Sequence, residues 1–348
     1  FHNQGLSTQE AMRRMVAIGM DSNPTLIIKN EEFSRAEIAG FQAILENFPV
    51  RGTTNYIPTL PQADFEYRES KEEELKSRPR FNPALYALSR GDLDLAGYVA
   101  QSDEDISAVR DDSPFFYRME RGLPRELVIV AAFVLVILLL ISSLFTYWNR
   151  KIIGRNERAA SLKHFAAFLL IGFGFMLVEI AVLQKFILFW HHQTLALTVV
   201  LSVVLVSSGI GSYLSSRIPE KRRLPVAAGA TLLLAIAAAL TLGPILMSME
   251  ASGTPVKLLV TVLLLTPLFL PMGVPFPSLL HSTEQLSGGK ALFPWMIGAN
   301  SIATLGGGVL SMVLAMSMGY TSVLLFGALS YLLLITLWFT TRHPSVKR

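Results

Sequence analysis

The sequence predicts an α-helical integral membrane bundle of about seven transmembrane helices, preceded by a partial α/β soluble domain. Three observations predict it. Half the chain is hydrophobic, 51% of 348 residues, and the mean hydropathy is +0.46. Charge is split along the chain. Residues 1–125 hold 20 acidic and 15 basic side chains, a net of −5, while residues 126–348 hold 6 and 15, a net of +9. From Glu126 onward the apolar residues fall into seven runs, each long enough to cross a bilayer at about 20 residues per span.

The basic half does not point to nucleic acid, because its cations cluster in short loops between apolar runs, the pattern of membrane topology. The chain has no cysteine, which excludes a disulfide framework and thiolate metal or redox chemistry. It opens on Phe1 rather than Met, as a fragment or a processed product would.

Residues 1–61 alternate helix and strand. "STQEAMRRMVAIGM" (7–20) starts on a capping box, Ser7 with Glu10, and continues with Met12, Met15, Val16 and Gly19 at helical spacing. "PTLIIKN" (24–30) is a short apolar run with the residue types of a strand. "SRAEIAGFQAILENF" (34–48) repeats the capping box with Ser34 and Glu37 and carries an apolar stripe of Ile38, Phe41, Ile44 and Leu45. "TTNYIPT" (53–59) reads as a further strand. The alternation suggests parallel pairing. Two strands do not close a sheet, so this segment reads as the C-terminal part of a larger α/β domain.

Residues 62–125 read as an irregular connecting segment. "EYRESKEEELKSRPR" (66–80) is a charge run of the kind found on solvated helices or loops. "NPALYALSRGDLDLAGYVAQ" (82–101) has room for one or two short helices. Asp111 and Asp112 precede Ser113 and Pro114 and read as a turn that ends the soluble part.

The seven spans cover about 126–148, 165–190, 194–215, 225–248, 256–280, 294–318 and 320–340, within a membrane domain of 126–341. The sides of the membrane follow from the loops. One side holds Arg150, Lys151, Arg155, Arg158, Lys163, Arg217, Lys221, Arg222, Arg223, Lys290 and the tail of 342–348. The other holds Lys257 alone, so the first side is expected to be cytoplasmic and to include the C-terminus. An odd number of spans then puts the soluble part outside the cytoplasm, although Arg110, Arg118, Arg121 and Arg125 pull the other way.

Four stretches carry a family resemblance. They are "DDSPFFY" before span one, "GFMLVEIAVLQKFILF" with "ALTVVLSVVLVSSGIGSYLSSRIPEKRR", "LPMGVPFPSLL", and "WMIGANSIATLGGGVLSMVLAMSMGY". In this order the chain resembles the membrane-bound spermidine synthase-like proteins of bacteria, in which a Rossmann-type, methyltransferase-like domain is fused to transmembrane helices. The resemblance implies a bacterial inner membrane location. It implies that residues 1–61 are the last helices and strands of a Rossmann-like domain. Aminopropyl transfer in such a domain needs a glycine-rich loop after the first strand and an acid for the nucleoside ribose. Residues 1–125 contain no such loop, Gly5, Gly19, Gly40 and Gly52 being isolated, so no catalytic residue carries over. No cofactor is expected in this chain, and a nucleoside sulfonium cosubstrate would require an upstream domain. The expected partners are the lipid bilayer and other membrane subunits or a second copy of the chain, with no nucleic acid.

Within the membrane the candidate residues are Glu179, Lys185, Ser207, Asn300 and Thr304. An acid in mid-span is costly and is by default a functional group. Glu179 therefore reads as a proton, cation or substrate contact, or as a hydrogen-bonded lock between spans two and six. Asn300 and Thr304 on span six and Ser207 with Ser208 on span three are its candidate partners. Lys185, six residues on and about 240° around the helix, is not a neighbour of Glu179 and could snorkel outward. Small-residue patches at "SSGIGS" (207–212) and "GGG" (306–308) suit close helix contact. Pro267, Pro271, Pro275 and Pro277 predict a break in span five near its cytoplasmic end. Trp148 and Trp190 suit the aromatic belt, and His191 with His192 lack a nearby third metal ligand.

Overall fold

The computed structural model describes residues 5–20, 23–47, 54–58, 83–102, 104–106, 109–115, 121–155, 157–286 and 289–340. The charge run at 66–80 and the basic tail at 342–348 lie outside the described residues. The chain forms two compact units, Phe1–Ser107 and Ala108–Arg348.

The first unit opens with helix α1 (Thr8–Met12), on the expected capping box. The Ser7 N–H donates to the Glu10 carboxylate at 2.8 Å, and the Glu10 N–H donates to the Ser7 hydroxyl at 3.3 Å. The helix then stops, where the spacing predicts that it continues. Met15–Met20 is strand β1 instead, followed by strand β2 (Asn23–Ile28). The reason lies in burial on two faces. Val16 packs with Ile38 and Ile57, while Ala17 packs on the other side with Met12, Tyr56 and Tyr86. A strand covered on both faces is a continuous apolar run, and its spacing can mimic a helix.

Helix α2 (Arg35–Asn47) follows, and strand β3 (Thr54–Tyr56) completes a sheet of order β2-β1-β3. Both pairings are antiparallel, which corrects the expected parallel arrangement. In register, Met15 faces Ile28 and Met20 faces Asn23. Only residues 21–22 separate β1 from β2, and a parallel crossover needs a dozen or more. No parallel pair occurs among the described residues. The capping box at α2 forms as expected. Lys29 at 2.8 Å, then the Ser34 N–H and hydroxyl, hold the exposed Glu37 carboxyl down at about 2. Two short helices, α3 (Pro83–Arg90) and α4 (Leu95–Gln101), complete the unit, the latter capped by Asp94. From α3 the Tyr86 hydroxyl donates to the Ile57 carbonyl and accepts from the Ile57 N–H, each at 3.2 Å.

The second unit holds the seven long apolar helices found among the described residues. They are α5 (Arg125–Ile152), α6 (Arg158–Trp190), α7 (Gln193–Leu214), α8 (Glu220–Ser248), a broken span made of α9 (Thr254–Met272) and α10 (Pro275–Glu284), α11 (Gly289–Met318) and α12 (Tyr320–Thr340). The expected span positions all hold. Helix α6 is the hub and packs most extensively on α11 and α12. Helix α5 lies at the edge against α11, with Val134, Phe145 and Asn149 as its buried residues. The Phe145 ring stacks on Phe165 with centroids 4.1 Å apart.

Small residues make the helix contacts, as expected where lipid removes any hydrophobic drive between helices. Gly172 of α6 lies against the Asn300 carbonyl and Ala303 of α11, and Gly307 of α11 lies against Phe173 and Met176. Gly174 meets Ser330 and Tyr331 of α12. The α7–α9 contact is the tightest. A Cβ added at Gly211 would collide with the Leu270 carbonyl oxygen, and one at Gly273 with the Ser208 carbonyl oxygen. Gly273 is also where span five breaks, as its prolines predict, with Pro275 starting the second piece. The chain turns there while α7 runs past it at backbone contact.

At the other end of the bundle, Lys257 is 8% exposed. Its ammonium donates to the Phe189 carbonyl at 2.7 Å, on the last turn of α6. A cation at a helix C-terminus satisfies an orphan carbonyl and complements the helix dipole. Lys257→Met keeps the stem but leaves that carbonyl unpaired. We expect it to cost about 1–2 kcal/mol, read as a lower melting midpoint of the protein in mild detergent.

Candidate functional site: an intramembrane acid and a charge cluster at the end of the bundle

Glu179 lies on α6, half-buried, and its carboxyl makes no hydrogen bond or ion pair among the described residues. Its expected partners are elsewhere. Helices α6 and α11 run parallel, since Gly172 meets Asn300 and Ala303, Met176 meets Gly307, and Ile180 meets Gly308. Glu179 is therefore level with the Gly308–Ser311 turn, about 10 Å along the axis from the level of Asn300. Asn300 and Thr304 do face α6, but they meet it at Gly172. The Thr304 hydroxyl donates to the Asn300 carbonyl at 2.9 Å, within its own helix. The Asn300 side-chain oxygen is buried without a hydrogen-bond donor. A polar lock from Glu179 to Asn300 or Thr304 does not form; glycines join these two helices.

Ser207 is also placed away from Glu179. It is 3% exposed and donates to the Thr266 hydroxyl at 3.3 Å, across the α7–α9 contact. Ser208 returns its hydroxyl to the Val204 carbonyl at 2.7 Å.

Lys185 has the strongest environment of the five. Its ammonium donates to the Asp112 carboxylate at 2.6 Å and to the Thr321 hydroxyl at 3.1 Å. Its side chain is 10% exposed, and that of Asp112 is 36% exposed. Asp112 belongs to the segment before α5, and it sits on the N-terminus of α12. Its carboxylate accepts from the Thr321 N–H at 3.0 Å and from the Thr321 hydroxyl at 2.6 Å. Its backbone carbonyl accepts from the Tyr320 N–H at 2.8 Å. One acid thus caps a helix that lies 209 residues away in sequence, at the end where the helix dipole is positive. Gly319 makes room for it. Its φ is +82°, and a side chain there would strike the Asp112 carboxylate. Burial alone raises the Asp112 carboxyl, but the Lys185 ammonium and the Thr321 hydroxyl outweigh it and hold the group below the usual carboxylate value.

The sequence does not reveal this cluster. Asp111 and Asp112 do lie in a turn, with Arg110 bridged to Ser113. The turn, however, serves to present Asp112 to two helices. The available signals were one lysine inside an apolar run and one acid pair just before span one. Nothing in their spacing links them. Elsewhere at this end His191 adopts φ +52° and meets Glu250 at 3.1 Å.

These features define the class. The chain is a multi-pass membrane protein with seven spans among the described residues; glycines bring α6 against α11 and α12 and α7 against α9, and Lys185 and Lys257 are engaged at helix ends. Comparison with protein-family models, with curated proteins and with solved structures yields no match.

Proposed function

We propose that the chain is the membrane-embedded portion of a spermidine synthase-like protein of the bacterial inner membrane. In this reading it acts as an anchoring and complex-docking module with no active site of its own. The bundle holds a soluble α/β domain at the membrane, and any nucleoside sulfonium chemistry belongs to sequence upstream of Phe1. Its partners are lipid and other membrane subunits or a second copy of the chain. The C-terminal end of the bundle is cytoplasmic, in line with its loop cations.

One observation supports this reading above the others. The polar side chains with the strongest contacts bind helices to one another: Asp112 with Lys185 and Thr321, Lys257 with the α6 terminus, Ser207 with Thr266, and the Trp190 indole N–H with Thr261 at 3.2 Å. These are the contacts of a rigid support. The rival reading is a transporter built on Glu179. It draws on the free carboxyl and on the break at Gly273, but transport folds of that kind break two matching helices. Among the described spans the α9–α10 span alone is divided.

The test is flux and catalysis with purified protein in liposomes. We expect no proton, sodium or polyamine flux above empty liposomes, and no aminopropyl transfer to putrescine. Glu179→Gln should leave both at background and change stability by less than about 1 kcal/mol, since the carboxyl holds no partner among the described residues. A flux that Glu179→Gln abolishes would replace the anchor with the transporter. Transfer by this chain alone would make it an enzyme.

A further inference from the structure

At the end of the bundle that carries the basic loops, α6, α8, α10 and α12 leave a narrow, half-open cleft. Leu224, Leu279, Leu337 and Trp338 form apolar walls, and Lys163 and His164 stand in its lining. The cleft is narrow and half-open, so it suits a ligand that inserts one slender part and lies mostly outside, along the helices.

The polar lining is already arranged. The His164 ring nitrogen Nδ1 lies 2.8 Å from the Ala160 carbonyl, which can only accept, so Nδ1 carries a proton. In the neutral ring Nε2 is then an acceptor, and the Ser282 hydroxyl donates to it at 2.7 Å. Histidine and serine therefore tie α6 to α10 and have no donor left for a ligand. Lys163 differs. Its ammonium has three donors, and one goes to the Thr340 carbonyl at 3.0 Å. Two remain for an anion at the mouth of an apolar cleft. The surroundings share its sign: Arg150, Lys151, Arg155 and Arg158 lie on the segment leading to it, and Lys221, Arg222 and Arg223 open the helix that supplies Leu224. Of the acids at this end, Glu220 accepts from Gln285 at 2.7 Å and lies 3.9 Å from His281, and Glu284 lies 3.8 Å from Lys290.

We infer that this cleft is a binding site for an anionic phospholipid. One acyl chain lies between Leu224, Leu279, Leu337 and Trp338, and the headgroup phosphate meets the Lys163 ammonium. Basic recesses between spans at the end of a bundle have the chemistry for such headgroups.

Native mass spectrometry of the purified protein tests this, with dioleoylphosphatidylglycerol and dioleoylphosphatidylcholine titrated into the same detergent. Wild-type protein should retain the anionic lipid preferentially. Lys163→Gln should cut that retention about fivefold, the weight of one lysine near an anionic surface, and leave the zwitterionic lipid unchanged. Leu337→Trp, which fills the cleft without touching the charge, should lower retention of both. Equal retention of the two lipids by wild type, or no change in Lys163→Gln, overturns the proposal. Displacement of the bound lipid by millimolar inorganic phosphate would assign the cleft to a free anion and overturns it too. A melting midpoint within about 1 °C of wild type confirms that each variant is folded.

Discussion

Gly211→Ala should melt in mild detergent about 5–10 °C below the wild type, while Gly209→Ala should melt at or above it. The two glycines sit two residues apart in one small-residue patch and one helix. Their surroundings differ. At Gly211 a methyl group would collide with the Leu270 backbone of α9, whereas at Gly209 nothing lies within 4 Å. The obstacle at Gly211 is a carbonyl of a packed helix, not the end of a movable side chain. The helices must separate, and the Ser207–Thr266 hydrogen bond one turn away goes with them. Overpacking of this kind costs about 1–3 kcal/mol, and a backbone obstacle belongs at the upper end. At Gly209 the exchange adds a better helix former, which gains about 0.5–1 kcal/mol. Equal effects at the two positions would mean that α7 does not approach α9 through Gly211.

Asp112→Ala should cost about 2–3 kcal/mol, read as the loss of denaturant resistance of the second unit. About 1 kcal/mol is the lost cap on α12. The rest is a lysine left nearly buried without its counter-ion, discounted because the Asp112 side chain is 36% exposed. Lys185→Met should be milder, since the acid keeps its Thr321 donors. In the double variant Asp112→Ala with Lys185→Met the loss should fall short of the sum by about 1 kcal/mol, because the unpaired charge has gone. The pH dependence follows from the lowered carboxyl. Asp112 binds its proton more weakly folded than unfolded, so its contribution is complete above the unfolded value near 3.9 and is lost as pH falls through the folded value. Wild type should therefore lose stability below about pH 4 more steeply than Asp112→Ala. Parallel curves would remove the ion pair from the account.

Much of the membrane unit was legible in the sequence because lipid imposes length and composition on every span. All seven spans, the break at the proline-rich segment and the glycine contacts follow from that constraint. What was not legible was which helix meets which. Composition offers Asn300, Thr304, Ser207 and Ser208 as partners of Glu179 because polar groups are the usual glue between spans. The glycines at 172 and 307 instead set the register of α6 on α11, and that register leaves Glu179 and Asn300 at different levels. Lys185 was read as snorkelling because its acid lies outside any span. In the soluble unit, Val16 and Ala17 carried the error. Burial on both faces of β1 removed the alternation that marks a strand, while the Ser7 capping box correctly marked a helix that ends after Met12.

The contact between Asp112 and Thr321 also imposes an order on synthesis. Asp112 is made before α5, and Thr321 belongs to α12, the seventh of the described spans. Asp112 and Lys185 are both present once α6 is made, so their ion pair can form early. The Tyr320 and Thr321 amides reach Asp112 only after α7 to α11 have been made, and their protection from exchange would time the arrival of α12.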